Sequence, residues 1–142
     1  MKELYTVDAH VTGGREGRAS SAGLELVLAP PKELGGKGEQ GATNPEQLFA
    51  AGYGACYLSA LSLTARSQKI SVREFEVDAT VSLGAEDDGG FGLMVTLDCT
   101  LPGIEREKAS ELVRAAHEVC PYSKATRGNI PVELTLDGQP LG

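Results

Sequence analysis

The sequence predicts an α+β fold in which mostly antiparallel β-sheets pack against two helices. Alternation of apolar and polar residues is typical of strands with one buried face, and five segments of the chain show it. Two longer segments have the length and apolar composition of helices. The elements follow one another in the order ββαββαβ, and strands separated by single helices in this way are typical of α+β proteins.

The predicted strands are bounded by residues that interrupt a sheet. Pro30-Pro31 ends the second strand, because proline cannot donate a hydrogen bond to a neighbouring strand. Ala85 to Gly90 forms a hairpin loop between the third and fourth strands. The predicted strands comprise residues 5–11, 24–28, 75–83, 91–101 and 130–136.

Both predicted helices carry recognisable signals. Asn44 suits the N-cap of the first helix, Pro45 suits its first position, and Glu46 complements the positive end of its dipole. We expect this helix to continue to about Lys69. The second helix, at residues 105–119, has apolar residues at three- and four-residue spacing along one face.

Length, charge and cysteine count limit the class of protein. The chain of 142 residues is long enough for a core and shows no linker, so we expect a single domain over residues 1–142. A net charge of −7 with scattered Lys and Arg argues against nucleic acid as a partner. Three cysteines do not suggest a secreted disulfide framework, and no export signal is visible. We therefore expect a cytoplasmic protein.

One segment approaches the length of a membrane span. Residues 48–65 are 18 residues without a charge. Glycine, serine and tyrosine lower the apolar character of the segment, and neither an aromatic belt nor a basic cluster flanks it. We expect a buried helix of a soluble protein and no association with a membrane.

The three cysteines lie in different settings. Cys99 is on the apolar face of a predicted strand, where a thiol is buried, protonated and unreactive. Cys56 lies in a helix rich in alanine and glycine, and Cys120 follows the second helix and precedes a short helical turn. Two thiols that meet in space can sustain a redox cycle, which one thiol cannot. Cys56 and Cys120 therefore favour a thiol peroxidase.

Other interpretations of these cysteines remain open from the residues alone. Cys56, taken singly, is more often a small core residue than a nucleophile. The Cys120-Pro121-Tyr122-Ser123 segment is only weakly similar to the Cys-Pro-Tyr-Cys turn of glutaredoxins, because serine replaces the second thiol. A metal site made of Cys56, Cys120 and His117 lacks a fourth ligand at recognisable spacing, so no metal is expected. His10 and His117 are interpreted as surface or packing residues.

Two long motifs resemble those of the organic hydroperoxide resistance (Ohr) proteins of the OsmC/Ohr superfamily. Asn44 to Cys56 is similar to the first motif of that family and Val119 to Ile130 to the second, while residues 12–17 and 89–93 also match. The resemblance covers nearly the whole chain. It implies the OsmC-like fold, an intertwined homodimer in which antiparallel sheets pack around central helices.

The resemblance also implies a function and its site residues. Cys56 would reduce an organic hydroperoxide and become a sulfenic acid, and Cys120 would then form a disulfide with it. A lipoyl dithiol, as dihydrolipoamide or on a lipoylated protein, would reduce the disulfide, and no bound cofactor would be needed. Arg15, preferred over Arg18 because it matches the family's Thr-Gly-Gly-Arg position, would stabilise the thiolate, and Glu46 would hold Arg15 in a two-pronged pair.

Helix geometry adds a prediction about assembly. Glu46 and Cys56 lie ten residues apart on one predicted helix, which rises about 15 Å over that distance, so the two cannot share a site within one helix. We expect Glu46 of one subunit to act on the partner's Cys56, the two copies of the helix crossing near Ala51 and Gly52. The small side chains there, including that of Gly54, would permit a close crossing.

Three aromatic residues are candidates for substrate binding. Phe49, Tyr53 and Tyr122 would line, with Leu48, an apolar approach to Cys56 that favours alkyl or fatty-acid hydroperoxides over hydrogen peroxide. Each of them singly is explained equally well by packing in the core. Two other functions stay open: an OsmC-branch peroxidase with different substrate preferences, and a redox-responsive binding protein that uses the disulfide as a switch.

Overall fold

The computed structural model describes residues 1–141 and confirms the α+β prediction. Within these residues the chain forms two four-stranded sheets and three α-helices. The chain divides into two compact units, one of residues 1–48 and one that begins at Phe49. The single domain expected over residues 1–142, the last of which lies outside the described residues, stays a prediction.

The first unit contains one sheet of four short strands: β1 (His10–Thr12), β2 (Arg18–Ser21), β3 (Leu24–Leu28) and β4 (Ala42–Thr43). The first three strands pair antiparallel in chain order, and β4 lies parallel to β3. The prediction for β3 is confirmed. β2 was not predicted, because its polar sequence carries no apolar alternation.

The strand predicted at residues 5–11 is wrong over residues 5–9. β1 begins only at His10, which pairs with Ser20 of β2. Because β2 ends at Ser21, residues 5–9 have almost no neighbouring strand with which to pair. The apolar side chains before β1 are exposed. Alternation alone therefore does not make a strand where the chain supplies no neighbouring strand.

The second unit contains most of the predicted elements, and they are confirmed. The long helix α1 begins in the first unit and continues into the second. The elements are α1 (Pro45–Ser67), β5 (Glu76–Ala85), β6 (Phe91–Thr100), α2 (Arg106–Val119), α3 (Pro121–Thr126), β7 (Val132–Leu136) and β8 (Gln139–Pro140). β5 and β6 form an antiparallel hairpin, β7 lies parallel to β6, and β8 returns antiparallel to β7. The parallel pair is possible because α2 and α3 carry the chain back between its strands.

The core of the second unit contains one face of α1. Tyr53, Tyr57 and Leu61, at four-residue intervals, are fully buried and belong to one apolar cluster with residues of α2 and β6. The hydroxyl of Tyr57 donates a hydrogen bond of 2.6 Å to the carbonyl of Val113 in α2. The opposite face of α1, which includes Leu63, is exposed. The predicted buried helix is thus confirmed for one face only.

Among the helices of residues 1–141, α1 is long and apolar enough to cross a membrane, judged by length and composition. A core helix passes the same test, so one such helix is weak evidence for a span. The burial of its two tyrosines in the cluster with α2 and β6 favours the core interpretation.

Replacement of Leu112 by alanine should lower the free energy of unfolding by about 2–5 kcal/mol, because this fully buried side chain of α2 would leave a cavity. The matched control is Glu111→Ala, which removes only an exposed ion pair with Lys108 and should change the free energy of unfolding little. Urea unfolding followed by circular dichroism measures both. Equal losses in the two variants would contradict the core described above.

Candidate active site

The structure brings Cys56 and Cys120 together, as the sequence interpretation required. Their sulfur atoms lie 3.7 Å apart, although the residues are separated by 64 positions. Cys120 is fully buried, whereas Cys56 is partly exposed, so Cys56 is the one that a solute can reach. A disulfide has an S–S length of about 2.05 Å. A movement of less than about 2 Å therefore suffices to form one between them.

Cys120 is held at a break between two helices. Its backbone is extended, with φ −64° and ψ 124°, and it both ends α2 and precedes α3. Its N–H donates to the carbonyl of Ala116 at 2.9 Å, and its carbonyl accepts from the N–H of Lys124 at 3.0 Å. Pro121 explains the break, because proline has no N–H with which to continue α2 but suits the first position of α3.

The surroundings of Cys56 within the second unit favour the thiol over the thiolate. Burial raises the pKa of the Cys56 thiol, a hydrogen bond from the backbone N–H of Tyr122 lowers it, and the neighbouring Cys120 raises it again, with an increase as the net result. A nucleophilic thiolate at this position would therefore have to be stabilised by a group other than these.

Cys99 lies in the core, as predicted from its place on β6. It is fully buried, and burial, with a smaller opposing effect from the hydrogen bond to Tyr57, raises the pKa of its thiol to about 12. A thiol with this pKa is almost wholly protonated near neutral pH. Cys99 is therefore buried and protonated in the core and is not a candidate for the attacking thiol.

Arg15 and Glu46 form the two-pronged ion pair that was expected of them. Nη1 and Nη2 of Arg15 donate to the two carboxylate oxygens of Glu46 at 2.8 and 2.6 Å. The hydrogen bond from Arg15 lowers the pKa of the Glu46 carboxyl, and the same bond raises the pKa of Arg15. Both groups are thus charged at neutral pH, and it is Arg15, rather than Arg18, that makes the pair.

Local backbone geometry positions both members of this ion pair. Arg15 lies in a single 3₁₀ turn that follows Gly13, whose φ is 71°. Gly17 closes the turn, and a Cβ added there would collide with the backbone carbonyl of Thr12. On the other side, the side chain of Asn44 accepts a hydrogen bond of 2.9 Å from the N–H of Gln47, which confirms the predicted N-cap of α1.

An apolar cavity that the sequence interpretation missed lies beside Arg15 in the first unit. Its volume is about 480 Å³, and it is lined almost wholly by carbon atoms apart from the arginine. The signal in the sequence was the alternation of Leu24, Leu26 and Leu28, which was used to predict β3 but not a binding surface. The other apolar side chains lining the cavity include Val11 and Leu48.

The three predicted substrate-binding aromatics lie together in the second unit. Their ring centres are separated by 5.7 Å for Phe49 and Tyr53, 6.3 Å for Phe49 and Tyr122, and 5.7 Å for Tyr53 and Tyr122. Tyr53 is fully buried, whereas Tyr122 is exposed and lies beside Gly52, whose added Cβ would lie 3.3 Å from the Tyr122 hydroxyl. Contact of these rings with a substrate stays a prediction.

A group of buried polar side chains beside Cys120 was also missed. Oγ of Ser123 is hydrogen-bonded to the hydroxyl of Tyr53 at 2.9 Å and to Nδ1 of His117 at 2.9 Å. His117, interpreted from sequence as a surface or packing residue, is thus tied to α3 by a specific bond. Residues 1–141 contain no group of three or more His, Cys, Asp or Glu side chains arranged to hold a metal ion.

Comparison with known proteins places the chain in a family. The model of the OsmC-like protein family matches residues 36–135. An organic hydroperoxide resistance protein of Xanthomonas axonopodis pv. citri (strain 306) is 51% identical over 138 residues, which are 95% of this chain and 96% of the relative.

Solved structures give the same result. The crystal structure of an organic hydroperoxide resistance protein from Elizabethkingia anophelis matches with a TM-score of 0.89 and 51% identity over 96% of this chain and 98% of that one. OhrB of Bacillus subtilis matches with a TM-score of 0.84 and 46% identity over 94% of this chain and 99% of that one. The chain therefore belongs to the OsmC-like family and, within it, to the organic hydroperoxide resistance proteins.

Proposed function

We propose that this protein is a thiol peroxidase that reduces organic hydroperoxides to alcohols, with Cys56 as the attacking cysteine and Cys120 as the resolving one. The observation that carries the proposal is the 3.7 Å separation of the two sulfur atoms. The substrate class is supported by the name that its relatives share, organic hydroperoxide resistance protein. The difference in exposure of the two thiols supports the assignment of their roles.

The chemistry balances with two thiols and one dithiol. The Cys56 thiolate attacks the distal oxygen of the hydroperoxide, the O–O bond breaks, and the departing alkoxide takes a proton to give the alcohol. Cys56 is now a sulfenic acid. The sulfur of Cys120 attacks the sulfenic sulfur, the S–O bond breaks, and water leaves as the disulfide forms. An external dithiol then reduces the disulfide by exchange and is itself oxidised.

Arg15 is the proposed source of the positive charge that Cys56 needs. A unit charge about 4 Å away contributes about 4 kcal/mol at an effective dielectric constant of about 20, before desolvation is subtracted. One pKa unit corresponds to roughly 1.4 kcal/mol, so this interaction can outweigh the increase in the pKa of Cys56 that burial causes. The guanidinium would also neutralise the charge that grows on the departing oxygen.

We propose that Arg15 and Glu46 act on the partner's Cys56 in a homodimer. Ten residues of continuous α1 rise about 15 Å, which separates Glu46 from Cys56 along a single helix. The exposed face of α1 supports a second copy as its cover, because Ala51, Ala55 and Leu63 lie on it. The expectation that Gly52 and Gly54 lie at this helix crossing needs correction. Gly52 faces Tyr122 and Gly54 faces Ala79 of the same chain.

The cavity beside Arg15 is the proposed site for the organic part of the substrate. Its lining is apolar, and its volume of about 480 Å³ fits an alkyl or aryl group. An apolar lining favours organic hydroperoxides over hydrogen peroxide, which has no carbon to bury there.

The proposed reductant is a lipoyl dithiol, which the family resemblance implies. The proposed location of the protein is the cytoplasm. Cytoplasmic thiols are kept reduced, so a Cys56–Cys120 disulfide would be a transient catalytic species there. The partial exposure of Cys56 supports access of a small dithiol to the disulfide.

Purified protein should consume an organic hydroperoxide through many turnovers with dihydrolipoamide and far fewer with thioredoxin or glutathione. The value of kcat/KM for cumene hydroperoxide should exceed that for hydrogen peroxide at least tenfold, because one buried apolar group contributes 1.5–3 kcal/mol, about ten- to a hundredfold. Peroxide loss is followed by a colorimetric assay, with Cys56→Ser as the inactive control. Consumption of a single equivalent and no more would indicate a redox-responsive binding protein instead.

One equivalent of organic hydroperoxide should lower the intact mass of the reduced protein by about two mass units, because two thiol hydrogens are lost when a disulfide forms. Cys120→Ser should instead gain one oxygen as a sulfenic acid that dimedone labels. Cys99→Ser is the matched control and should behave as the unmodified protein. Peptide mapping that placed Cys99 in the disulfide would refute the assignment.

Mixed dimers test the composite site. Cys56→Ser and Glu46→Ala chains, each with its own affinity tag, are coexpressed, and the mixed dimer is isolated through both tags. If Glu46 acts across the dimer, the mixed dimer contains one intact site and should recover about half of the activity, since the two sites are related by symmetry. Inactive mixed dimers, with each parent dimer also inactive, would show that Glu46 acts within its own chain.

A further inference from the structure

We propose that a largely buried hydrogen-bond network made by His117, Ser123, Tyr53 and Thr126, here called the hydroxyl network, positions Cys120 for closure of the disulfide. The network ties the first turns of α3 to α1 and α2, and so holds the sulfur of Cys120 within reach of Cys56. The role rests on the proposed function, because closure is the step in which Cys120 takes part.

The hydroxyl network connects all three helices of the second unit. The hydroxyl of Tyr53 in α1 lies 2.9 Å from Oγ of Ser123 and 3.0 Å from Oγ1 of Thr126, both in α3. Nδ1 of His117 in α2 lies 2.9 Å from the same Ser123 oxygen. Tyr53 and Ser123 are fully buried, and Thr126 is 7% exposed. Hydrogen bonds shielded from water in this way are costly to leave unmade.

One consistent set of bond directions follows when the hydroxyl of Thr126 donates to a backbone carbonyl. A carbonyl can only accept, so Thr126 gives its single hydroxyl hydrogen to a backbone carbonyl of α3, that of Tyr122 at 3.0 Å or that of Ser123 at 3.2 Å. Thr126 must then accept from Tyr53, and Tyr53, its hydrogen used, must accept from Ser123. Ser123 in turn must accept from Nδ1–H of His117. The network is a one-way chain of donors from the His117 ring to the backbone of α3.

This order assigns His117 a defined chemical state. Its proton lies on Nδ1, and burial, followed by the positive charge of Arg127, lowers the pKa of the ring against a smaller opposing effect of Glu118. The ring is therefore neutral near pH 7, and its donor is Nδ1–H. Arg127 also donates a hydrogen bond of 2.9 Å to the backbone carbonyl of His117, which fixes the end of α2 that carries the ring.

The network and the two sulfurs join the same pair of helices at matching positions. On α1, Tyr53 precedes Cys56 by three residues, and on the other side Cys120 precedes Ser123 by three. Residues three apart on a helix face the same side, as Tyr53 and Cys56 do on α1, whereas Cys120 is the extended residue just before α3 and Ser123 lies in the first turn of α3. The Tyr53–Ser123 bond and the Cys56–Cys120 contact are thus two adjacent links between α1 and the segment that opens α3.

Closure is the step most sensitive to this link. The sulfurs must approach from 3.7 Å to about 2.05 Å, and a misplacement of about 1 Å can cost as much as a hundredfold in rate. Until the disulfide forms, a second hydroperoxide can react with the Cys56 sulfenic acid and oxidise it irreversibly to the sulfinic acid. A network that holds Cys120 in place therefore sets the ratio of closure to overoxidation.

The test measures closure directly in Ser123→Ala and His117→Leu. Reduced protein is mixed with one equivalent of cumene hydroperoxide, quenched with acid at intervals, and analysed by mass spectrometry for sulfenic acid and disulfide. Both variants should close about ten- to a hundredfold more slowly than the unmodified protein and should accumulate sulfinic acid at excess peroxide. Ser110→Ala, which removes another buried serine hydroxyl of α2 outside the network, is the matched control and should close normally.

His117→Asn separates a positioning role from a loss of packing. The asparagine amide can place an N–H near the position of the histidine Nδ1, so this variant should recover most of the closure rate that His117→Leu loses. Thermal melts establish which variants are folded. If Ser123→Ala does not fold, the two His117 variants, altered at a partly exposed position, decide the matter.

Closure at the unmodified rate in folded Ser123→Ala and His117→Leu would overturn the positioning role alone. Equal slowing in His117→Leu and His117→Asn would also overturn it, because the donor would then be irrelevant. An unmodified protein that oxidises without ever forming the disulfide would overturn the proposed function together with this role.

Discussion

The break between α2 and α3 at Cys120 is the constraint on which the arrangement of the two thiols depends. Pro121 prevents α2 from continuing, and the backbone groups of Cys120 are taken up by hydrogen bonds to both helices. The cysteine is thus held from two sides while its sulfur stays free to react. The cluster of α1, α2 and β6 keeps the two cysteine-bearing segments packed together, with Tyr57 bonded across it to Val113.

Burial has opposite consequences for the two halves of the proposed chemistry. In that chemistry it would keep the buried Cys120 away from hydroperoxide until the thiol is needed to form the disulfide. It also raises the pKa of Cys56, which works against formation of a thiolate there. The Arg15–Glu46 pair, charged on both sides and held in two hydrogen bonds, is the proposed source of the positive charge that would favour the thiolate. In a dimer that brings the Arg15–Glu46 pair of one copy to the Cys56–Cys120 pair of the other, neither copy alone would contain a complete site.

Local signals in the sequence predicted local structure well. The N-cap of Asn44, the proline that follows it and the alternation in β5 and β6 each depend on near neighbours in the chain, and the structure bears them out. The alternation of residues 5–9 failed as a strand, because strand formation needs a partner as well as a pattern. The sequence of α1 is limited in a similar way. Its apolar residues are spread around the whole helix, so they do not reveal which face is buried.

By itself, then, the sequence determined which residues could carry the chemistry. These are two cysteines in recognisable motifs, Arg15 in the motif of residues 12–17, and Glu46 in the motif that ends at Cys56. Only the tertiary structure decided that the sulfurs lie 3.7 Å apart, that an apolar cavity lies beside Arg15, and that His117 and Ser123 belong to one network with Tyr53. The physical reason is that these contacts join residues from different elements. Their distances are set by how helices and strands pack in three dimensions, which no short-range period or composition along the chain encodes.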